Sequence, residues 1–133
     1  MAGLINISRA ASLGIHAALL IKRTGVRLNA VQVAHELNAS EHHVAKILQK
    51  MAKHGILFSQ KGPYGGFSLN RPADQIQLLE IYELIEGPLT SHDCPEKEEE
   101  CPFGECLWGK FGKNTSKSFQ NFLEDNTLAD FYQ

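Results

Sequence analysis

No apolar run in this 133-residue chain approaches the roughly 18 residues that a membrane-spanning helix needs. The longest apolar-rich stretch, Ala17 to Ile21, stops at Lys22-Arg23. The opening residues, Met1-Ala2-Gly3-Leu4-Ile5-Asn6, show neither the basic n-region nor the cleavage site of a secretory leader. A cytoplasmic protein with no membrane partner is therefore expected. Cysteine is scarce and odd in number, with three residues, which disfavours a disulfide framework and favours metal binding or thiol chemistry. There is no internal repeat, no low-complexity tract and no phosphate-loop spacing of the GxxxxGKS/T type. No nucleophile–base or paired-carboxylate arrangement stands out, so an enzyme is not expected.

What is present is ordinary globular material, 43% hydrophobic and 21% charged, in a length that suits one domain or one domain with an appendage. The charge is unevenly placed. Residues 1–75 carry nine Lys/Arg and three Asp/Glu, a net of +6, while residues 76–133 carry four and twelve, a net of -8. Five of the six histidines fall in the first part. A basic half joined to an acidic half points to a polyanion-binding head and a separate second function. Chance clustering of solvated charge is the plain alternative.

The hydrophobic pattern predicts a nearly all-apolar helix from about Ile7 to Lys22, capped by Asn6 or Ser8. So little polar face hints at burial against a second subunit. A second helix is expected over Asn29 to Leu37, with Asn29 and Gln32 as a capping box and Ala30, Val33, Ala34 and Leu37 as its apolar stripe. Asn38 tolerates the left-handed region that a tight turn demands. Ser40 then caps a third helix to Lys53, with Val44, Ile47, Leu48 and Met51 inward. Two short strand-like runs flank Lys61-Gly62-Pro63-Tyr64-Gly65-Gly66 and read as a hairpin. A helix over Gln75 to Glu86 follows, then an irregular acidic segment over 89–105, then a long helix from Cys106 to Asp125 striped by Trp108, Phe111, Thr115, Phe119, Phe122 and Leu123.

The predicted fold is mainly α with a small β-hairpin wing, a winged helix-turn-helix. Its third helix turns Ser40, His42, His43, Lys46, Gln49, Lys50 and Lys53 outward. Residues near the start of that helix are placed for base edges, and the later lysines for phosphates. Lys61 and Tyr64 sit on a thin, glycine-rich tip suited to a sugar–phosphate backbone or a minor groove. A generic solvated helix face and a purely geometric turn are the alternatives.

Cys94, Cys101 and Cys106 give the spacing C-x6-C-x4-C within thirteen residues. Soft thiolates in a loop can converge on a metal or an iron–sulfur cluster. No CxxC zinc spacing occurs, and three thiolates are one ligand short of four. Three unrelated thiols are the alternative.

Taken together, the apolar first helix, the helix-turn-helix, the Lys61-Gly62-Pro63-Tyr64-Gly65-Gly66-Phe67 wing, the cysteine triplet and the closing Asn126-Thr127-Leu128-Ala129-Asp130 resemble the IscR/NsrR family of bacterial iron–sulfur winged-helix regulators across essentially the whole chain. The resemblance implies a homodimer joined by the long C-terminal dimerisation helix. It implies binding to pseudo-palindromic double-stranded DNA, with Ser40, His42, His43, Lys46 and Lys61 as matching contacts. It also implies a 2Fe–2S cluster on the three cysteines, with 4Fe–4S as the alternative. Residues 1–75 would be the DNA-binding domain and residues 76–133 the dimerisation and cysteine-loop sensor region. Two departures stand out. The IscR branch has a histidine three residues after its third cysteine, where this chain has Gly109. Other branches complete the cluster from the partner's first helix, where His16 and Ser12 stand here. His16 is the better iron ligand, and His92, Asp93 and Glu105 are rivals within the loop. Lys61 replaces the usual arginine of the wing. The expected function is a regulator, most simply a repressor, sensing redox, nitric oxide or iron status. Cluster-free alternatives are a structural zinc held by three cysteines and His92, a thiol–disulfide switch, and a winged helix that binds protein instead of DNA.

Overall fold

The structure is a computed structural model, and it describes residues 7–89, 102–103 and 108–132. Five α-helices are described: α1 Arg9–Thr24, α2 Ala30–Glu36, α3 Glu41–Lys53, α4 Leu78–Glu86 and α5 Gly109–Asp125. A two-stranded antiparallel sheet pairs β1, Leu57–Gln60, with β2, Gly66–Leu69. The mainly helical fold with a hairpin wing is as expected.

Local chemistry sets most boundaries. The Ser8 hydroxyl accepts from the Ala11 amide at 3.0 Å and donates to the Glu86 carboxylate, so it caps α1 and ties it to the end of α4. Gly25, in the left-handed region at φ 67°, closes α1 by donating its amide to the Ile21 carbonyl. Asn29 and Gln32 form the expected reciprocal capping box, at 2.8 and 2.9 Å. Asn38 takes φ 50° in the turn between α2 and α3, as its residue type allowed. In α3 the four expected residues, Val44, Ile47, Leu48 and Met51, are all buried.

The hairpin runs in register from Leu57 opposite Leu69 to Gln60 opposite Gly66. Leu28, just before α2, adds a one-residue third strand. Its amide and carbonyl bond Phe67 at 3.1 and 2.7 Å, which fixes the wing to the helix-turn-helix.

Two boundaries differ from expectation. The helix predicted from Gln75 is a 3-10 turn over Ala73–Gln75, followed by extended residues, and α4 begins only at Leu78. The cause is tertiary. The Ile76 carbonyl accepts from the Leu128 amide, and the Leu78 amide donates to the Asn126 carbonyl, both at 3.0 Å. These bonds hold 76–78 extended against the chain's end. Thr127 and Asp130 form a capping box around a second 3-10 turn, Leu128–Asp130, which inserts fully buried Leu128. The other difference is that α5 starts at Gly109; its predicted first residues, 106 and 107, lie outside the described set.

The core gathers α1, α3, α4 and the chain end around Leu48, Met51, Ile56, Ile76, Ile81 and Leu128. Most apolar positions of α1 are buried within the single chain, so less of that helix is left for a second subunit than its composition hinted. Gly14 marks the tightest contact. A Cβ there would lie 2.3 Å from Ile85 Cδ1, 3.3 Å from Ile81 Cγ2 and 3.5 Å from Ile47 Cγ2. Among the described residues no helix is long and apolar enough to cross a membrane.

Leu128→Ala should lower the unfolding free energy by about 2–5 kcal/mol in urea titrations, through the cavity it leaves. Gly14→Val should cost about 1–3 kcal/mol by overpacking, despite the better helix propensity of valine over glycine.

Candidate nucleic-acid interface and sensor groove

With Val44, Ile47, Leu48 and Met51 turned inward, the other side of α3 faces out. His42, Lys46 and Lys50 follow i, i+4 spacing there, and Lys53 continues the edge; all four are exposed. His43 is half-buried, and its amide is the one that donates to the capping Ser40 hydroxyl, at 3.4 Å. Ser40 thus serves the helix start while remaining exposed. Among the described residues the ion pairs are Arg71–Glu80 and His35–Glu36, so no carboxylate neutralises the lysines of α3. The only acidic residue on α3 is Glu41, in its first turn, where the helix dipole favours it.

The wing tip carries Lys61, exposed, and Tyr64, which at 89% relative exposure is the most exposed large apolar side chain described. The tip is tight. The Gly65 amide bonds the Gly62 carbonyl at 2.9 Å, and a Cβ on Gly65 would lie 2.3 Å from the Gln60 carbonyl oxygen. The Tyr64 carbonyl accepts a hydrogen bond from Arg27 Nη1 at 3.0 Å. Arg27 was not among the expected site residues. Its signal lay one residue before Leu28, a position that looked like linker because a one-residue strand has no periodicity.

A second feature lies on α1 and α5. An apolar groove of about 250 Å³ is lined by Ser12, Ile15, His16, Tyr82, Phe119 and Phe122, among others. Phe119 meets Tyr82 edge-on, with ring centroids 5.3 Å apart. Burial, and to a lesser degree the Glu86 carboxylate, raises the pKa of the Tyr82 phenol above its ordinary value. His16 is exposed at the rim, and its Nδ1 lies 2.7 Å from the Ser12 carbonyl oxygen. A carbonyl only accepts, so Nδ1 is the donor in this contact, and Nε2 is not engaged by it. That orientation by a backbone carbonyl is the arrangement that ligating histidines use. Along α5, Trp108, Phe111 and Phe122 of the expected stripe are exposed, whereas Leu123 is buried. Cys94, Cys101 and Cys106, with the rivals His92, Asp93 and Glu105, lie outside the described residues.

Comparison with known proteins agrees with this architecture. A family model described as "Rrf2: Iron-dependent Transcriptional regulator" matches residues 7–133. A putative HTH-type transcriptional regulator of Aquifex aeolicus is 30% identical over 90 residues, 65% of this chain and 62% of that protein. The HTH-type transcriptional regulator IscR of Erwinia tasmaniensis is 28% identical over 89 residues, 66% of this chain and 53% of that protein. The chain thus spans less than two thirds of the length of either relative. The structure of CymR, the global cysteine regulator of Bacillus subtilis, shares the fold, with a TM-score of 0.73 at 24% identity over 95% of each chain. The relatives are named regulators, not enzymes. With its wing, its basic third helix and a family match that runs through the last helix, the chain belongs to the Rrf2 family of transcriptional regulators.

Proposed function

We propose that this protein is a cytoplasmic, homodimeric repressor whose grip on pseudo-palindromic DNA is set by an iron–sulfur cluster on Cys94, Cys101 and Cys106. The observation that carries the DNA half is the basic edge of α3, free of ion pairs among the described residues, lying beside a wing with its own cation. Ser40, His42 and His43 would meet base edges, and Lys46, Lys50, Lys61 and Tyr64 would meet edges or phosphates. Two heads would reach half-sites about 34 Å apart, one duplex turn.

The residues suit a cluster. Three thiols within thirteen residues of sequence are soft donors, and His16 offers an imidazole held at Nδ1 by the Ser12 carbonyl. His16 and the exposed Phe122 of α5 border the same apolar groove, which a second copy docked on α5 would cover. A bound cluster, incompletely ligated by cysteine, would supply a redox-labile cross-link of the 2Fe–2S or, alternatively, 4Fe–4S type. The chain does the rest. The cysteine segment joins α4 to α5, α4 packs on α1, and α1 packs on α3. A tie between loop and helix shifts the spacing of the heads only through its differential affinity for the two arrangements.

Anaerobic purification followed by an absorption spectrum and an iron count tests the sensor. Brown protein is expected, Cys101→Ala should bleach it while leaving a folded dimer, and His16→Ala should alter its spectrum. Colourless protein holding zinc would sink the cluster in favour of three cysteines and His92. A metal-free form that loses about two protons on oxidation would favour a thiol switch; in its support, CymR of Bacillus subtilis is described as a cysteine regulator, and CymR of Staphylococcus aureus has an oxidised form. On the DNA side, Lys46→Ala should weaken operator binding by about 1–3 kcal/mol in mobility-shift titrations if it reads a base.

A further inference from the structure

Lys61 is the wing's own cation, and it has no hydrogen-bond or ion-pair partner among the described residues. A second cation reaches the wing from the connector between α1 and α2. The Arg27 side chain passes over Gly66, where an added Cβ would come within 3.0 Å of its Cγ and 2.7 Å of the Leu28 carbonyl oxygen. Its Nη1 then donates to the Tyr64 carbonyl at 3.0 Å. The backbone beneath it is locked as well, because Leu28 and Phe67 exchange both of their hydrogen bonds.

A guanidinium carries five N–H donors in a planar fork. One is recorded in use, and the residue is exposed, so the others open to solvent at the edge where the wing meets the entry to α2. A flexible lysine must be ordered when it meets a phosphate, whereas a guanidinium already held on one side loses less freedom. The planar fork also matches phosphate oxygens.

We propose that Arg27 is a DNA-phosphate contact shared by the wing and the helix-turn-helix, and that its bond to Tyr64 sets the wing tip at its working distance from α3. The proposal rests on the DNA-binding reading above, but its failure is separable from that reading.

The test uses the full-length protein and a random-sequence duplex of about 30 base pairs, with binding read by fluorescence anisotropy across a KCl series. Arg27→Gln removes the charge while keeping a polar, hydrogen-bonding side chain of similar stem length. Binding should weaken about five- to tenfold, and the slope of log K against log salt should become shallower by about 0.9 per bound head. Arg27→Lys should hold the slope near wild type, and the thermal midpoint of both variants should be unchanged. Should the Gln variant fail to fold, Arg27→Ala is read in the same way. An unchanged slope in Arg27→Gln, alongside a reduced slope in Lys61→Ala, overturns the proposal and leaves Arg27 a structural pin on a DNA-binding wing. A slope lost equally in the Lys and Gln variants overturns it too, since charge would not be what matters. If Lys46→Ala and Lys61→Ala also leave binding untouched, the DNA reading itself falls.

Discussion

Gly14 lies where α1 meets α3 and α4 at once, and the missing side chain is what permits the meeting. Ile47 of α3 and both Ile81 and Ile85 of α4 close around the space a Cβ would need. Ala11, Ala17 and Ala18, all buried, extend the small-residue surface along α1. Glycine inside a helix costs about 1 kcal/mol of propensity. Here the close approach of two other helices offsets it. Interiors packed this tightly do not absorb a displacement as a liquid would; they pass it on. Helix α1 is therefore the common backing of the basic helix and of the helix that leads into the cysteine segment.

The chain's end makes a second weld. Leu128 fills the core, and its amide, with the Asn126 carbonyl, pairs the residues that enter α4. Those residues follow the wing almost directly. The long helix α5 is thus anchored at its C-terminal end near the wing exit, while its other end receives the cysteine segment.

The sequence is legible where the chemistry is itself local. The Asn29–Gln32 capping box, the left-handed Asn38 and the Ser40 cap each follow from side chains bonding backbone within four residues. The hairpin followed from its Pro/Gly turn. The sequence is silent where a distant partner decides. Residues 76–78 have helical periodicity, yet Asn126 and Leu128 hold them extended. Arg27 reads as a linker cation, yet the Leu28–Phe67 bridge carries it to the wing. The aromatic stripe of α5 is legible as a stripe, but among the described residues only its later part, around Phe119 and Leu123, finds a partner. Periodicity says that a face is apolar, not what covers it.

That uncovered face binds the two halves of the proposed function together. Helix α5 is 17 residues long, about 25 Å at 1.5 Å per residue, and Trp108, Phe111 and Phe122 lie exposed along it. Phe122 also lines the apolar groove that His16 borders. If the fourth ligand comes from the partner's α1, the ligand set exists only in the dimer. Any group that binds the dimer and not the monomer stabilises the dimer by mass action. Filling the site would then favour association, and association would favour filling. A wing and a recognition helix reading two half-sites also need two heads, so DNA affinity would inherit the same dependence. On this reading a sensor needs no long-range pathway: the ligand set, the apolar face and the paired heads are all properties of one assembly, and the loss of one weakens the other two.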